Sequence, residues 1–311
     1  MRGKIIGAII GAMISGTAAT SAGAQSYSQL SRWCYGEATT EQTIRGCDTV
    51  IRWSRETSRD TGTAFYNRGL AHAARGQLDR AIDDYDQAIR LRPDFADAYN
   101  NRGLARRLRG DEARALEDFD QALRLDPDDV DALYNRGLAL TGLRQYERAI
   151  AEFNAALRLR PDDFDALAGR GTARRRQGEI ERALLDFGQV LRARPDNVVA
   201  LAGRCAARAT LGRLPPALAD CNEALRLRPG DLPALEARGF VLLRLDRPDA
   251  ARADFELVLK TAPKTASALY GRGVARRRTG DPPGGDADIA AAIALQADIA
   301  DEFARQGVGG S

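Results

Sequence analysis

Histidine and lysine are scarce in this chain of 311 residues. His72 is the single histidine, and Lys4, Lys260 and Lys264 are the only lysines among 46 basic residues. A lone histidine cannot assemble a nucleophile–base–acid triad. The sequence also lacks the C-x-x-C spacing of a zinc or redox site and a glycine-rich phosphate loop. We therefore expect no catalytic centre, no metal site and no cofactor.

An excess of charge is lacking as well. The formal net charge is +3, and residues 1–24 carry two of the 46 basic residues, Arg2 and Lys4, but none of the 43 acids. The remaining chain therefore holds 44 basic and 43 acidic residues. A nucleic-acid-binding protein needs a clustered basic surface. We therefore expect no nucleic-acid partner.

Residues 1–24 form a segment of their own. The basic "MRGK" precedes the apolar stretch "IIGAIIGAMISGTAAT", and the small residues "AGA" end at Ala24. This pattern is typical of a secretory signal peptide cleaved after Ala24. It predicts a periplasmic or secreted protein with no membrane span after cleavage. An uncleaved membrane anchor is the alternative, which the short, Gly- and Ala-rich apolar run disfavours.

A unit of 34 residues repeats seven times. We number its positions as columns, with units at residues 62–95, 96–129, 130–163, 164–197, 198–231, 232–265 and 266–299. Column 32 is proline in six units: Pro93, Pro127, Pro161, Pro195, Pro229 and Pro263. Column 3 is always alanine, column 8 is glycine in six units, and column 24 is aromatic in five.

Each unit predicts two antiparallel helices. Columns 2–14 carry small and apolar residues at helical spacing, and columns 17–30 carry an i, i+3, i+4, i+7 apolar stripe. The proline at column 32 ends the second helix. One hairpin cannot bury its apolar faces alone, so neighbouring units must stack into an all-α solenoid. Residues 25–61 are predicted to form an N-terminal helical cap, and residues 300–311 the end of a C-terminal capping helix with a flexible tail.

Four cysteines lie in the part predicted to be exported. An even number in an oxidising compartment favours disulfides, and sequence order pairs Cys34 with Cys47 and Cys205 with Cys221. Cys205 and Cys221 replace the column 8 glycine and the column 24 aromatic of one unit, which lie at matching heights on the two helices. The alternative for this pair is two buried thiols that fill a gap in the core.

Charged residues recur at two inward-facing columns. Column 7 is Arg68, Arg102, Arg136, Arg170, Arg204, Arg238 and Arg272, and column 23 is Asp84, Asp118, Glu152, Asp186, Asp220, Asp254 and Asp288. A lone buried charge would be costly. We therefore predict an Arg–carboxylate pair in every unit, within one hairpin or across to the next, that sets helix register. Direct binding of an anionic ligand by these arginines is the alternative.

The period of 34, with glycine at column 8, alanine at columns 20 and 27, an aromatic at column 24 and proline at column 32, resembles the tetratricopeptide repeat. The resemblance covers residues 62–299 and implies a right-handed solenoid. Two columns depart from the family pattern. Column 7 holds arginine where the family has a large apolar residue, and column 11 lacks the usual tyrosine, as at His72 and Arg106.

The resemblance also implies a ligand groove. In this family the first helices line a concave surface, and columns 2, 5, 9, 12 and 13 face the ligand. The candidate groove residues are then Tyr66, Asn100, Arg107, Tyr134, Arg175, Arg176, Phe240, Arg244, Tyr270, Arg277 and Arg278. They would suit an extended peptide with apolar anchors and carboxylates. Solvated arginines and tyrosines on an ordinary helix surface are the alternative.

These features favour a non-catalytic scaffold in the cell envelope that binds a protein or peptide of acidic character. The alternative is an accessory or assembly factor of an envelope secretion or cell-wall complex. An enzyme using groove carboxylates such as Asp165 and Glu236 is disfavoured, because no pair of acids has an evident environment that would shift its pKa.

Overall fold

The computed structural model describes residues 26–53 and 57–308. The predicted signal peptide, residues 1–24, lies outside this part, as does the end of the predicted flexible tail. Within the described residues every regular element is a helix: α1 Tyr27–Tyr35, α2 Thr40–Trp53, α3 Ser58–Ala74, α4 Leu78–Leu91, α5 Ala96–Leu108, α6 Glu112–Leu125, α7 Val130–Gly142, α8 Tyr146–Leu159, α9 Phe164–Gln177, α10 Ile180–Ala193, α11 Val198–Thr210, α12 Leu214–Leu227, α13 Leu232–Arg244, α14 Pro248–Thr261, α15 Ala266–Arg278, α16 Pro282–Leu295 and α17 Ile299–Arg305.

Helices α3 to α16 are the seven predicted hairpins, each packed against the next to form an all-α solenoid. The first helices of three units begin at aspartates that accept hydrogen bonds from backbone N–H groups of the first turn, Asp129, Asp163 and Asp231. The last unit departs from the repeat pattern, with Gly285 at column 20 and Ile289 at column 24, yet its second helix α16 has full length. Its two prolines stand in the first turn, where no backbone N–H is needed for the helix.

Column 15 ends the first helix of each unit in the left-handed backbone conformation. Five units place a glycine there, with φ between 70° and 98°. Two units do not, and Arg144 and Asp246 adopt φ values of 59° and 54°. A side chain in this region is strained, so these two turns form at a cost that the glycine turns avoid.

The core lies between the two helices of each hairpin. The column 24 aromatic is fully buried in five units, as Tyr85, Phe119, Phe153, Phe187 and Phe255. Its ring packs against the column 8 glycine, and a Cβ added at Gly103 would lie 2.8 Å from Phe119 Cε1. The glycine therefore sets how closely the helices approach.

In the fifth hairpin, columns 8 and 24 are two cysteines instead of a glycine and an aromatic residue. Cys205 and Cys221 stand 2.00 Å apart at their sulfur atoms, with their Cα atoms 5.5 Å apart. In the N-terminal cap, the sulfur atoms of Cys34 and Cys47 lie 2.12 Å apart and link α1 to α2. Both pairs have disulfide geometry. Each cysteine pair therefore lies across one helix hairpin.

Candidate functional site

In every unit the column 7 guanidinium contacts the column 23 carboxylate of its own hairpin. The closest N–O distances are 2.6 to 2.7 Å in all seven units. The acid is the more buried partner, and Asp118 is only 2% exposed. Such a charge-assisted contact fixes the register of the two helices.

The same guanidinium also reaches the preceding unit. Arg102 Nη1 donates to Asp86 Oδ1 at 2.5 Å, and Arg136 Nη1 donates to Asp120 Oδ1 at 2.8 Å. Burial lowers the pKa of Arg102, but hydrogen bonds and charges from Asp118 and Asp86 outweigh it and raise the pKa above its usual value. Contacts within a hairpin and across units therefore coexist.

Column 11 supplies a second cation to the same acid. Arg106 Nη1 lies 2.8 Å from Asp118 Oδ2, and Arg174, Arg208 and Arg276 repeat this contact in their units. In the first unit column 11 is His72, whose Nε2 atom lies 3.9 Å from Asp84 Oδ2. The departure of column 11 from the family pattern is visible in the sequence, but the contact of its arginines with the column 23 acid is not. The column 7 and column 11 arginines contact the fold's own carboxylates and leave little capacity for a ligand.

The column 5 candidates of the first two units, Tyr66 and Asn100, lie at the joints between units. Tyr66 OH accepts a hydrogen bond from Asn101 at 3.1 Å, and Asn100 Oδ1 accepts one from Asn135 at 3.0 Å. Tyr134 is half-buried beside Phe153, and its pKa is raised to about 12 by burial and then by the charge of Asp165. Tyr66 and Asn100 therefore link consecutive first helices, whereas Tyr134 packs on the second helix of its own hairpin.

Three of the six candidate groove arginines contact the chain itself. Arg244 Nη1 donates to the carbonyl of Ala209, and Arg278 Nη1 donates to the carbonyl of Leu243 at 2.8 Å. Arg277 Nε donates to Asp286 at 2.6 Å. Arg244 and Arg278 thus cap the last turn of the preceding first helix, and Arg277 joins α15 to α16.

The side chains of the other three arginines form no hydrogen bond and no ion pair with the described residues. They are Arg107 on α5 and Arg175 and Arg176 on α9. The Nε atoms of Arg107 and Arg175 are shielded from solvent without an acceptor. Burial, and then the neighbouring Arg176, lower the pKa of Arg175 to about 10, so this cation remains charged at neutral pH but lacks a counter-ion in contact.

Two candidates of the last two units, Phe240 and Tyr270, are covered by α17. Phe240 and Tyr270 are buried, and their rings lie 5.7 Å and 4.7 Å from the ring of Phe303 on α17. Val308 is also buried, although the sequence predicts a flexible tail there. The candidates Phe240 and Tyr270 are therefore occupied by the chain itself.

Comparison with known protein families agrees with this architecture. Profiles of the tetratricopeptide repeat match residues 69–108, 109–166, 168–231 and 237–303. The chain belongs to the tetratricopeptide repeat family. Its solenoid is the right-handed stack that this family builds, a fold that generally serves protein interaction rather than catalysis.

Solved tetratricopeptide repeat structures show the same fold at low sequence identity. A tetratricopeptide repeat protein from Parabacteroides merdae superposes with a TM-score of 0.61 at 21% identity, over 79% of this chain and 98% of that one. PilF of Pseudomonas aeruginosa gives 0.53 at 18% identity, over 68% and 95%. The Cut9–Hcn1 assembly of the APC/C gives 0.65 at 12% identity, over 86% of this chain and 52% of that one. No curated protein sequence matches significantly.

None of the described helices is long and apolar enough to cross a membrane.

Proposed function

We propose that this tetratricopeptide repeat protein is a non-catalytic scaffold of the cell envelope that binds an extended, acidic segment of a partner protein. The segment lies in the concave groove, and its carboxylates contact Arg107, Arg175 and Arg176. Tyr66, Asn100 and Tyr134 line the same surface beside Arg107.

One observation carries this proposal: the side chains of Arg107, Arg175 and Arg176 have no carboxylate in contact among the described residues, whereas the column 7 arginines do. Glu112 and Glu236 act on these three arginines only at longer range. All seven column 7 arginines have a carboxylate within 2.7 Å, whereas the guanidinium groups of Arg107 and Arg175 contact no carboxylate of the described residues. The Nε atoms of Arg107 and Arg175 are buried without an acceptor; that of Arg136 is too, but its other nitrogens contact two carboxylates. A buried donor without an acceptor costs free energy. A bound carboxylate supplies the missing acceptor and offsets that cost.

The envelope location rests on two independent features. Residues 1–24 have the pattern of a secretory signal peptide, and both cysteine pairs lie in disulfide geometry. Stable disulfides are common in oxidising compartments and rare in the cytosol. A partner is therefore expected in the periplasm or outside the cell.

Peptide binding tests the proposal. Fluorescently labelled Glu-rich and Lys-rich peptides of equal length are titrated into the purified protein at low and high salt. We expect the Glu-rich peptide alone to bind, and its affinity to fall as salt rises because exposed charge contacts are screened. Equal binding of the two peptides, or binding of neither, would contradict an acidic ligand in this groove.

A further inference from the structure

Residues 298–308 pack against the first helices of the sixth and seventh units; we call them the tail segment. Phe303 is its main apolar contact, since the ring packs on Phe240 of the sixth unit and Tyr270 of the seventh. Ile299 and Val308 are each 1% exposed. These three side chains hold a helix of only seven residues in place.

The tail segment also reaches units far from it in sequence. Asp298 Oδ2 lies 3.9 Å from Arg144 Nη1 of the third unit. The charge of Glu302 acts on Arg175 of the fourth unit and raises its pKa against the larger, lowering effect of burial. Gly307 lies beside Arg244 of the sixth unit, since a Cβ added there would be 3.4 Å from Arg244 Nε. The tail segment therefore contacts or faces four of the seven units.

The chemistry of the tail segment is the chemistry expected of a ligand. Glu302 Oε2 accepts a hydrogen bond from Gln296, and its charge favours the cationic form of Arg175 by raising the pKa that burial lowers. The next residue, Phe303, places an aromatic ring against Phe240 and Tyr270. A helix this short is not stable by itself in water, so its position depends on these contacts. Its covalent attachment to α16 keeps its effective concentration at the groove high.

We propose that the tail segment is an internal competitor that closes the C-terminal half of the groove. A partner segment that replaces it carries an acidic residue followed directly by an aromatic one. This inference rests on the proposed groove function, and it adds the ligand's sequence and a closed state. Such a partner binds only molecules in which the tail segment is undocked. Its apparent association constant is therefore the intrinsic constant multiplied by the undocked fraction.

A peptide with the sequence of residues 297–308, ADIADEFARQGV, serves as the probe. Its binding is measured by fluorescence anisotropy for the wild-type protein and for Phe303→Ala, which removes the ring that anchors the tail segment. We expect the variant to bind the peptide at least about tenfold more tightly, because its groove is more often open. Unchanged or weaker binding by Phe303→Ala would overturn the inference.

Thiol labelling follows the tail segment without removing its anchor. Val308→Cys introduces a thiol at a buried position, and Ala304→Cys introduces one at an exposed position of the same segment. We expect a maleimide to label Val308→Cys at least tenfold more slowly than Ala304→Cys, and saturating peptide to speed only the Val308→Cys reaction. Equal rates without peptide, or a rate that peptide leaves unchanged, would overturn the closed state.

A Glu-rich peptide without aromatic residues separates this inference from the proposed function. If the tail segment is no competitor, that peptide still binds the wild-type protein and loses affinity in Arg107→Gln. If the groove binds no acidic ligand, the Glu-rich peptide fails to bind while Val308→Cys stays protected.

Discussion

Arg102 joins two consecutive units of the solenoid through one side chain. Its Nη2 atom lies 2.6 Å from Asp118 Oδ1 in its own hairpin, and its Nη1 atom lies 2.5 Å from Asp86 Oδ1 in the hairpin before. Replacing a whole buried ion pair by apolar residues is often neutral, but removing one partner leaves an uncompensated charge. The stability of each unit therefore depends on both partners being present.

Arg102→Ala and Asp118→Ala are each expected to lower the free energy of unfolding by about 2 to 3 kcal/mol, because each breaks the most buried contact of the network. Asp118 keeps Arg106 in the first variant, and Arg102 keeps Asp86 in the second. The double variant should cost less than the sum, with a coupling of about 1 to 3 kcal/mol. Urea unfolding followed by circular dichroism measures all three. Arg114→Ala, which removes an exposed contact to Asp111, is the control and should cost under about 1 kcal/mol. Additive single costs would contradict the pairing.

Arg106→Leu should cost less than Arg102→Leu, about 1 kcal/mol against about 2 to 3 kcal/mol, because Arg106 makes one hydrogen bond to Asp118 whereas Arg102 makes three and also reaches the preceding unit. Two units already show that leucine fits at column 11, as Leu140 and Leu242, and both are buried. Urea unfolding of the two variants gives the comparison. Equal losses would mean that Arg106 matters to the register as much as Arg102 does.

Asp246→Gly should raise the free energy of unfolding by about 1 kcal/mol, because glycine adopts the left-handed backbone without steric cost. The reverse change, Gly110→Asp, puts a side chain on an equivalent turn with φ of 84° and should lower stability by a similar amount. Thermal unfolding of both variants measures the two shifts. A stabilised Gly110→Asp would contradict the strain at column 15.

The disulfide between Cys205 and Cys221 is expected to stabilise the fifth hairpin. Its cysteines are 16 residues apart, and closing a loop of this length stabilises a fold by about 3 kcal/mol. The double variant Cys205→Ala, Cys221→Ala should lose about this amount under non-reducing conditions. Thiol titration of the unfolded, unreduced wild-type protein should detect no free thiol. Four free thiols would rule out both disulfides.

Sequence periodicity predicts most of the fold because each unit repeats the same packing contacts. The column 8 glycine, the column 24 aromatic and the column 32 proline place both helices of every hairpin within a few residues. The first hairpin differs, since α3 begins at Ser58 rather than near Gly62. Its extra turn is capped by Thr57, which accepts a hydrogen bond from Asp60 N and lies outside the repeat pattern.

The groove was harder to predict, because column position alone does not show which side chains find partners. Arg107 and Arg277 both stand at column 12, yet Arg277 Nε donates to Asp286 whereas the side chain of Arg107 forms no hydrogen bond within the described residues. Phe303 packs on Phe240 and Tyr270, which lie on two different helices of earlier units. No local pattern encodes such a contact.

A matched pair of substitutions tests the central claim, that the paired arginines stabilise the fold and the unpaired ones bind the partner. Arg102→Gln and Arg107→Gln lie five residues apart on α5 and remove the same charge. For each, the affinity for the Glu-rich peptide and the free energy of unfolding are measured together. We predict that Arg107→Gln weakens binding about tenfold with stability unchanged, whereas Arg102→Gln lowers stability by about 2 to 3 kcal/mol with binding retained below its unfolding transition. The reverse assignment, or equal effects of the two changes on binding, would contradict the account.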